Sequence, residues 1–200
     1  MNQTRRVAAI ERSTKETTIT CRLDLDGTGE VAVATGIGFL DHMLTALAFH
    51  AGWDLKLECS GDLEVDDHHT AEDCALALGE AIDTALGDRA GIHRFGSAFA
   101  PLDEALARTV VDLSGRPWPH VELGLTREML GELACENISH VLRSLAMSAR
   151  CALHVDVLRG DNDHHRAEAA FKATALAFRQ ATARTAGEVR STKGTLGGAS

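Results

Sequence analysis

Two adjacent histidines stand near the start of the stretch DDHHTAEDCALALG (Asp66–Gly79), and Glu72 lies four positions after the first of them. Ninety-six positions on, NDHHRAEAAFKA (Asn162–Ala173) writes the arrangement again with His164, His165 and Glu168. On a helix, residues i and i+4 share a face, whereas i and i+1 point about 100° apart. His68 and Glu72 can therefore hold one metal ion together, and so can His164 and Glu168, while His69 and His165 face elsewhere. One motif alone is an incomplete site with a spare imidazole. Two related motifs complete each other if each gives its His/Glu pair to one ion and its spare histidine to the other. His42 and His140 add one ligand to each ion, which yields two equivalent sites of three imidazoles and one carboxylate. Such donors suit Mn, Fe, Co, Ni or Zn. Four protein ligands leave open positions on an octahedral ion, which points to catalysis rather than to a closed structural site.

A single His-His pair at a helix start is ordinarily a cap or an exposed polar turn, and a lone histidine on an apolar face is ordinarily a satisfied core residue. Duplication changes that reading. HMLTALAFHAGWDLKLE (His42–Glu58) matches HVLRSLAMSARCALHVD (His140–Asp156) 98 positions later, and LDLDGTG (Leu23–Gly29) resembles VDLSGRP (Val111–Pro117). The eight candidate ligands recur as four matched pairs while the residues around them have drifted. His50, His93, His120 and His154 have no histidine counterpart and read as surface or structural.

The elements that must position these ligands follow from periodicity. Ile19, Cys21, Leu23 and Leu25 alternate with polar residues as a strand does, DGTG reads as a hairpin turn, and EVAVA reads as the partner strand. Leu40, Met43, Leu44, Leu47, Ala48 and Ala51 are spaced for a helix, with Gly52 as its C-cap. Trp53, Leu55, Leu57 and Cys59 make a further strand, and Asp66 or Asp67 caps a second helix running to about Leu86. The second half reads the same way through EALARTVVDL, SGRP, WPHVELG, a helix through His140, ALHVDVL and a helix from His164 to about Thr185. The predicted fold is α+β, a tandem duplication of a β-β-α-β-α unit with helices packed on one face of each sheet. The halves divide as 1–90 and 91–186, joined near LGDRAGIHRFG, with 187–200 a Gly-rich tail expected to be flexible at its end.

Bulk properties set the frame. The 200 residues are 44% hydrophobic, and no run approaches the roughly 18 apolar residues of a membrane span. The N-terminal stretch lacks the apolar core of a secretory signal. Five cysteines form neither a CxxC nor an even framework, which fits a reduced, cytoplasmic protein. A net charge of −9 without a basic block disfavours nucleic acid, yet still permits a local basic pocket for an anionic ligand.

The motifs TKET, LDLDGTG, GFLDHML, DDHHTAED, HRFGSAFAPLDEALARTVVDLSGRP, NDHHRAEAAFKA and STKG cover nearly the whole chain, and in this order the sequence resembles the imidazoleglycerol-phosphate dehydratase family of histidine biosynthesis. The resemblance implies a duplicated fold of the ribosomal-protein-S5-domain-2-like type and two manganese ions (Mn2+) per active site. It groups the ligands as His68, Glu72, His140 and His165 for one ion and His42, His69, His164 and Glu168 for the other. It further implies a homo-oligomer of twenty-four subunits built from trimers, with active sites shared between neighbours. In that chemistry both ring nitrogens of the substrate imidazole bind metal, the neighbouring hydroxyl departs, and a base takes a carbon-bound proton. By the same resemblance Glu16 is the base, and Arg94, Arg116, Ser191, Thr192 and Lys193 join Glu16 in binding the small phosphorylated substrate. Arginine suits bidentate phosphate contacts.

Two other readings fit the residues less well. A dinuclear phosphoester hydrolase ordinarily carries several bridging carboxylates, whereas here imidazoles outnumber carboxylates six to two. A non-catalytic assembly glued by metal would leave Arg94, Arg116 and Lys193 without work.

Overall fold

Residues 4–187, 191 and 196 are described by the computed structural model. The first half starts from a hairpin, β1 (Val7–Ser13) and β2 (Thr17–Asp24), whose alternation buries Ala8, Ile19, Cys21 and Leu23 on one face. The TKET segment is the hairpin tip. The Thr14 hydroxyl accepts the N–H groups of Glu16 at 3.1 Å and Thr17 at 3.0 Å, a local turn that fixes the backbone at Glu16.

DGTG does not close a hairpin. β3 (Val31–Ala34) leaves β2 and pairs in parallel with β4 (Asp54–Gly61), Val31 opposite Leu55, so the sheet order is β1-β2-β4-β3. The cause is Asp54, whose Oδ1 accepts N–H groups from Thr28 (2.7 Å), Gly29 (3.1 Å) and Glu30 (3.0 Å) and lays the loop beside β4. A side chain so far along the sequence is invisible to local turn rules. Between β3 and β4, α1 (Gly38–Ala51) ends as predicted at Gly52, which takes the left-handed conformation (φ 76°), and the Trp53 N–H closes on the Ala48 carbonyl. α2 (His68–Leu86) follows β4. Asp66 accepts the His68 N–H at 2.9 Å, while Asp67 instead takes the Ala134 N–H at 2.6 Å from the second half.

The second half repeats this topology. β5 (Phe95–Leu102) and β6 (Ala105–Asp112) form a hairpin, β7 (Trp118–Glu122) lies parallel to β10 (Ala152–Arg159), and the order is β5-β6-β10-β7. A two-stranded insert, β8 (Met129–Leu130) and β9 (Leu133–Ala134), precedes α3 (Cys135–Ser148), and α4 (Asp163–Thr182) closes the half. The β-β-α-β-α unit is thus present twice, each time preceded by one further strand, β1 or β5, which the sequence reading does not include. WPHVELG, like EVAVA, joins its sheet at the far side of the last strand rather than beside the strand before it.

Packing crosses the repeat. α2 lies on β1 and β2 and against α3, while α4 lies on β5 and β6 and against α1. Trp53 and Phe178 meet edge to face at 5.6 Å, both fully buried, so one core serves both halves. Gly79 lets α2 approach α3, since a Cβ there would lie 2.7 Å from the Leu145 carbonyl oxygen. The connection 87–94 is fastened rather than loose. Arg89 is 3% exposed, pairs with Asp83 and donates to the Arg150 and Ala149 carbonyls at 3.0 and 3.1 Å. All five cysteines are free thiols, and burial pushes those of Cys21 and Cys151 up to about 12.

Candidate metal centre

Helix spacing and helix pairing together bring six of the eight predicted ligands into two clusters. His164 and Glu168 sit one turn apart at the start of α4, and His42 reaches them from α1, the helix that packs on α4. His42 Nε2 lies 3.1 Å and His164 Nε2 3.2 Å from the same oxygen, Glu168 Oε2. His68 and Glu72 repeat this on α2, with His140 from α3; His140 Nε2 is 3.0 Å from Glu72 Oε1, and His68 stacks on His140 at 5.0 Å between ring centres. In each cluster the three donor atoms lie within 4.8 Å of one another, close enough to share one ion.

The remaining pair, His69 and His165, joins neither cluster within the chain. A single chain therefore assembles three of each predicted four ligands, because the vicinal ring points off the helix face that its neighbour shares with the glutamate. Each outlying ring is held by a carboxylate instead: His69 Nδ1 by Asp62 at 3.1 Å, and His165 Nδ1 by Glu104 at 2.7 Å. An anionic oxygen can only accept, so Nδ1 carries the hydrogen and Nε2 is the free edge of each ring. Those hydrogen bonds raise the pKa of both imidazoles above its ordinary value. The hydrogen bond from His165, with backbone N–H donors, holds the Glu104 carboxyl down at about 2.

The clusters differ in what surrounds them. His68 Nδ1 donates to the buried Asn137 Oδ1 at 2.9 Å, which again leaves Nε2 toward the cluster, and the Ser144 hydroxyl lies 3.4 Å from His140 Nε2. At the other cluster, Phe39 stands edge-on to His164 at 5.2 Å, and Lys172 Nζ meets Glu168 Oε1 at 2.5 Å. Burial pushes the Glu168 carboxyl up, but the hydrogen bonds from Lys172 and His42 outweigh it and hold it at about 2. The sequence reading does not single out Lys172, although its place one helical turn after Glu168 is the signal that could have found it. Asn137, Asp62 and Glu104 carry no such signal, since each reaches its histidine from another element.

Glu16 projects from the β1–β2 tip, its Oε1 3.8 Å from His69 Nε2. Arg94, with positive φ (71°), grips Asp112 through Nε at 2.7 Å and Nη2 at 3.0 Å and stacks on Phe95. Its carbonyl accepts the Leu113 N–H, so Arg94 shares one end of the second sheet with the turn that carries the exposed Arg116. Glu104 and His165 occupy the other end. The eight-residue β6 separates the two ends by roughly 25 Å at about 3.3 Å per residue, so one chain does not bring these arginines to its own α4 histidines. Ser191 is half-buried, whereas Thr192 and Lys193 lie outside the described residues. Among the described residues, His50, His93, His120 and His154 join no metal-binding group, and no helix is long and apolar enough to cross a membrane.

Comparisons with known proteins bear on the family. The family model described as imidazoleglycerol-phosphate dehydratase matches residues 35–178, which hold all eight predicted ligands. A Phytophthora nicotianae protein of that name is 62% identical over 193 residues, covering 96% of this chain and 42% of that longer protein. The Neurospora crassa protein of that name is 55% identical over 219 residues, with 96% of each chain covered. Among solved structures, imidazoleglycerol-phosphate dehydratase from Staphylococcus aureus superposes with a TM-score of 0.81 at 35% identity, over 90% of this chain and 99% of that one. Shared sequence across most of the chain and a shared fold around the paired His/Glu helices lead to one conclusion: the chain belongs to the imidazoleglycerol-phosphate dehydratase family.

Proposed function

We propose that this protein removes water from imidazole glycerol phosphate to give imidazole acetol phosphate, a step of histidine biosynthesis in the cytoplasm, at active sites holding two Mn2+ ions and shared between subunits of a twenty-four-subunit homo-oligomer built from trimers. The observation that carries the reading is the pair of three-ligand clusters, each one imidazole short, beside two outlying histidines whose Nε2 edges face away from their own cluster. Two nitrogens and a carboxylate oxygen within 4.8 Å fit a manganese ion that still has positions for further ligands. His165 of a neighbouring copy would complete His68, Glu72 and His140, and His69 of a neighbouring copy would complete His42, His164 and Glu168.

When bound, the metals supply Lewis acidity and a template for the substrate's imidazole ring. The rest is the work of side chains. Glu16, on a tip fastened by the Thr14 hydroxyl, stands beside the metal-facing nitrogen of His69 and takes the carbon-bound proton. Arg94, Arg116, Ser191, Thr192 and Lys193 hold the phosphate, and the strand length between the arginines and the α4 histidines calls for a second copy to unite them.

The test is to incubate the Mn2+-loaded protein with imidazole glycerol phosphate and assay the ketone product, alongside Glu16→Gln. The wild type should form ketone. The variant should keep its metal, its large particle and substrate binding, while turnover falls by roughly 10²–10⁴, the usual contribution of a positioned base. No ketone from metal-loaded wild type would overturn the reading, and wild-type turnover in Glu16→Gln would remove Glu16 as the base.

A further inference from the structure

Glu16 and Glu104 hold the same place in the two halves. The β1–β2 and β5–β6 hairpins pair in the same register 88 positions apart, Ser13 opposite Thr18 and Pro101 opposite Leu106, which puts Glu104 where Glu16 stands. Each glutamate also approaches the second histidine of its own half. The approaches differ: Glu16 lies 3.8 Å from the outward Nε2 of His69, whereas Glu104 lies 2.7 Å from the inward Nδ1 of His165.

The loops before the helices account for the difference. Residues 62–67 join β4 to α2, long enough for Asp62 to fold back on His69 Nδ1. Only residues 160–162 join β10 to α4, and the N–H groups of Asp161 and Asn162 point instead at Glu104 Oε1, at 3.0 and 2.9 Å. With that oxygen anchored on the backbone, Oε2 is turned onto His165. Both oxygens of Glu104 are engaged, and the task that Asp62 performs in the first half falls to it.

We propose that Glu104 is a positioning residue: by accepting the Nδ1–H of His165 it fixes the ring tautomer that offers the Nε2 lone pair to the metal of a neighbouring copy, and this engagement withdraws it from the proton-transfer role of its counterpart Glu16. The inference rests on His165 being a metal ligand. It accounts for Glu104 not repeating the approach of Glu16, the carboxylate near His165 Nε2 being Asp103 at 3.9 Å. Carboxylate partners of ligating histidines act in this way, orienting the ring and setting its tautomer.

Glu104→Gln is the discriminating variant, because it is isosteric. Its amide oxygen can keep the Asp161 and Asn162 N–H groups, which turns the NH2 group toward His165. Nδ1 must then accept, the hydrogen moves to Nε2, and the ligating lone pair is lost. Nitrogen-15 NMR of the metal-free protein at pH 9 should show His165 as the Nδ1–H tautomer in the wild type and the Nε2–H tautomer in the variant. Mn2+ affinity should fall roughly 10–100-fold, with the melting temperature of the metal-free protein unchanged, a separation that a merely structural role would not produce. An Nε2–H tautomer in the wild type overturns the proposal even if the variant does not fold. A wild type that binds Mn2+ and a variant of equal affinity sink the proposal alone. A wild type that takes up no Mn2+ sinks the metal reading beneath it.

Discussion

The two clusters have the same donors and unlike surroundings. Around His68, Glu72 and His140 the neighbours are polar and neutral: Asn137 holds one ring and Ser144 lies beside another. Around His42, His164 and Glu168 the corresponding neighbours are Phe39, which stands where the repeat has Asn137, and Lys172, whose ammonium is bonded to the ligand carboxylate itself. The candidate metal-binding residues recur in both halves, while the residues behind them differ. Identical donor sets should therefore bind unequally. Lys172 offsets the one anionic ligand of its cluster, while Asn137 preorganises the other, so the Glu72 cluster should fill first and the Glu168 cluster second.

The comparison breaks most sharply at the carboxylates. Glu72→Gln and Glu168→Gln should each reduce bound Mn2+ to the other cluster alone, with a loss larger than the roughly 10–100-fold that follows removal of an outer partner. Metal analysis after dialysis reads this directly, and a variant retaining both ions would mean that its cluster is not a metal site. Next in size is Asn137→Ala, which frees the His68 ring. Affinity at the Glu72 cluster should drop roughly tenfold with the Glu168 cluster unaffected, bringing a two-step Mn2+ titration closer to one step. Equal weakening of both steps would contradict the assignment.

A smaller effect of opposite sign is expected for Lys172→Met. A unit charge about 4 Å away is worth about 4 kcal/mol near a protein surface, and partial exposure reduces this to ~1 kcal/mol. Binding at the Glu168 cluster should tighten by roughly fivefold, measured by calorimetry, and weaker binding would show that Lys172 orients Glu168 rather than opposing the ion. The smallest effect on metal is none, and Asp26→Asn supplies that control. Asp26 is gripped by Arg6 and Arg184, away from both clusters. Burial pushes its carboxyl up, but the arginine hydrogen bonds outweigh this and hold it well below its ordinary 3.8. A depressed carboxyl stabilises the fold above its unfolded pKa and loses that contribution as pH falls below it. Asp26→Asn should thus cost about 1–2 kcal/mol at pH 7 and flatten the acid limb below pH ~3.8, with both metal steps unmoved. A changed metal titration would tie this distant pair to the clusters.

The candidate ligands were legible because they rest on local geometry. His68 and Glu72, like His164 and Glu168, are one helical turn apart, and repetition at 96 and 98 positions picked out His42 and His140 from ten histidines. Which of His42 and His140 joins which pair was not readable from spacing: the resemblance implied it, and the packing of α1 on α4 and α2 on α3 decides it. The parallel placement of β3 and β7 was not readable either, because it depends on strands met much later in the chain and, for β3, on the Asp54 side chain gathering the loop. The roles of Asp62 and Glu104 were hidden for the same reason: loop length between a strand and a helix decides which carboxylate reaches Nδ1.

By itself the sequence determined the duplicated α+β architecture, the helices that carry the candidate ligands, and which side chains share a helix face, because periodicities of 2 and 3.6 are written residue by residue. Tertiary structure alone decided that each cluster closes with three ligands, that the outlying histidines turn their Nε2 edges away, and that Arg94 and Arg116 lie a strand's length from the α4 histidines. Those outcomes depend on distances through space between residues far apart in the chain, which the packing of α1 on α4 and α2 on α3 sets and no local pattern encodes.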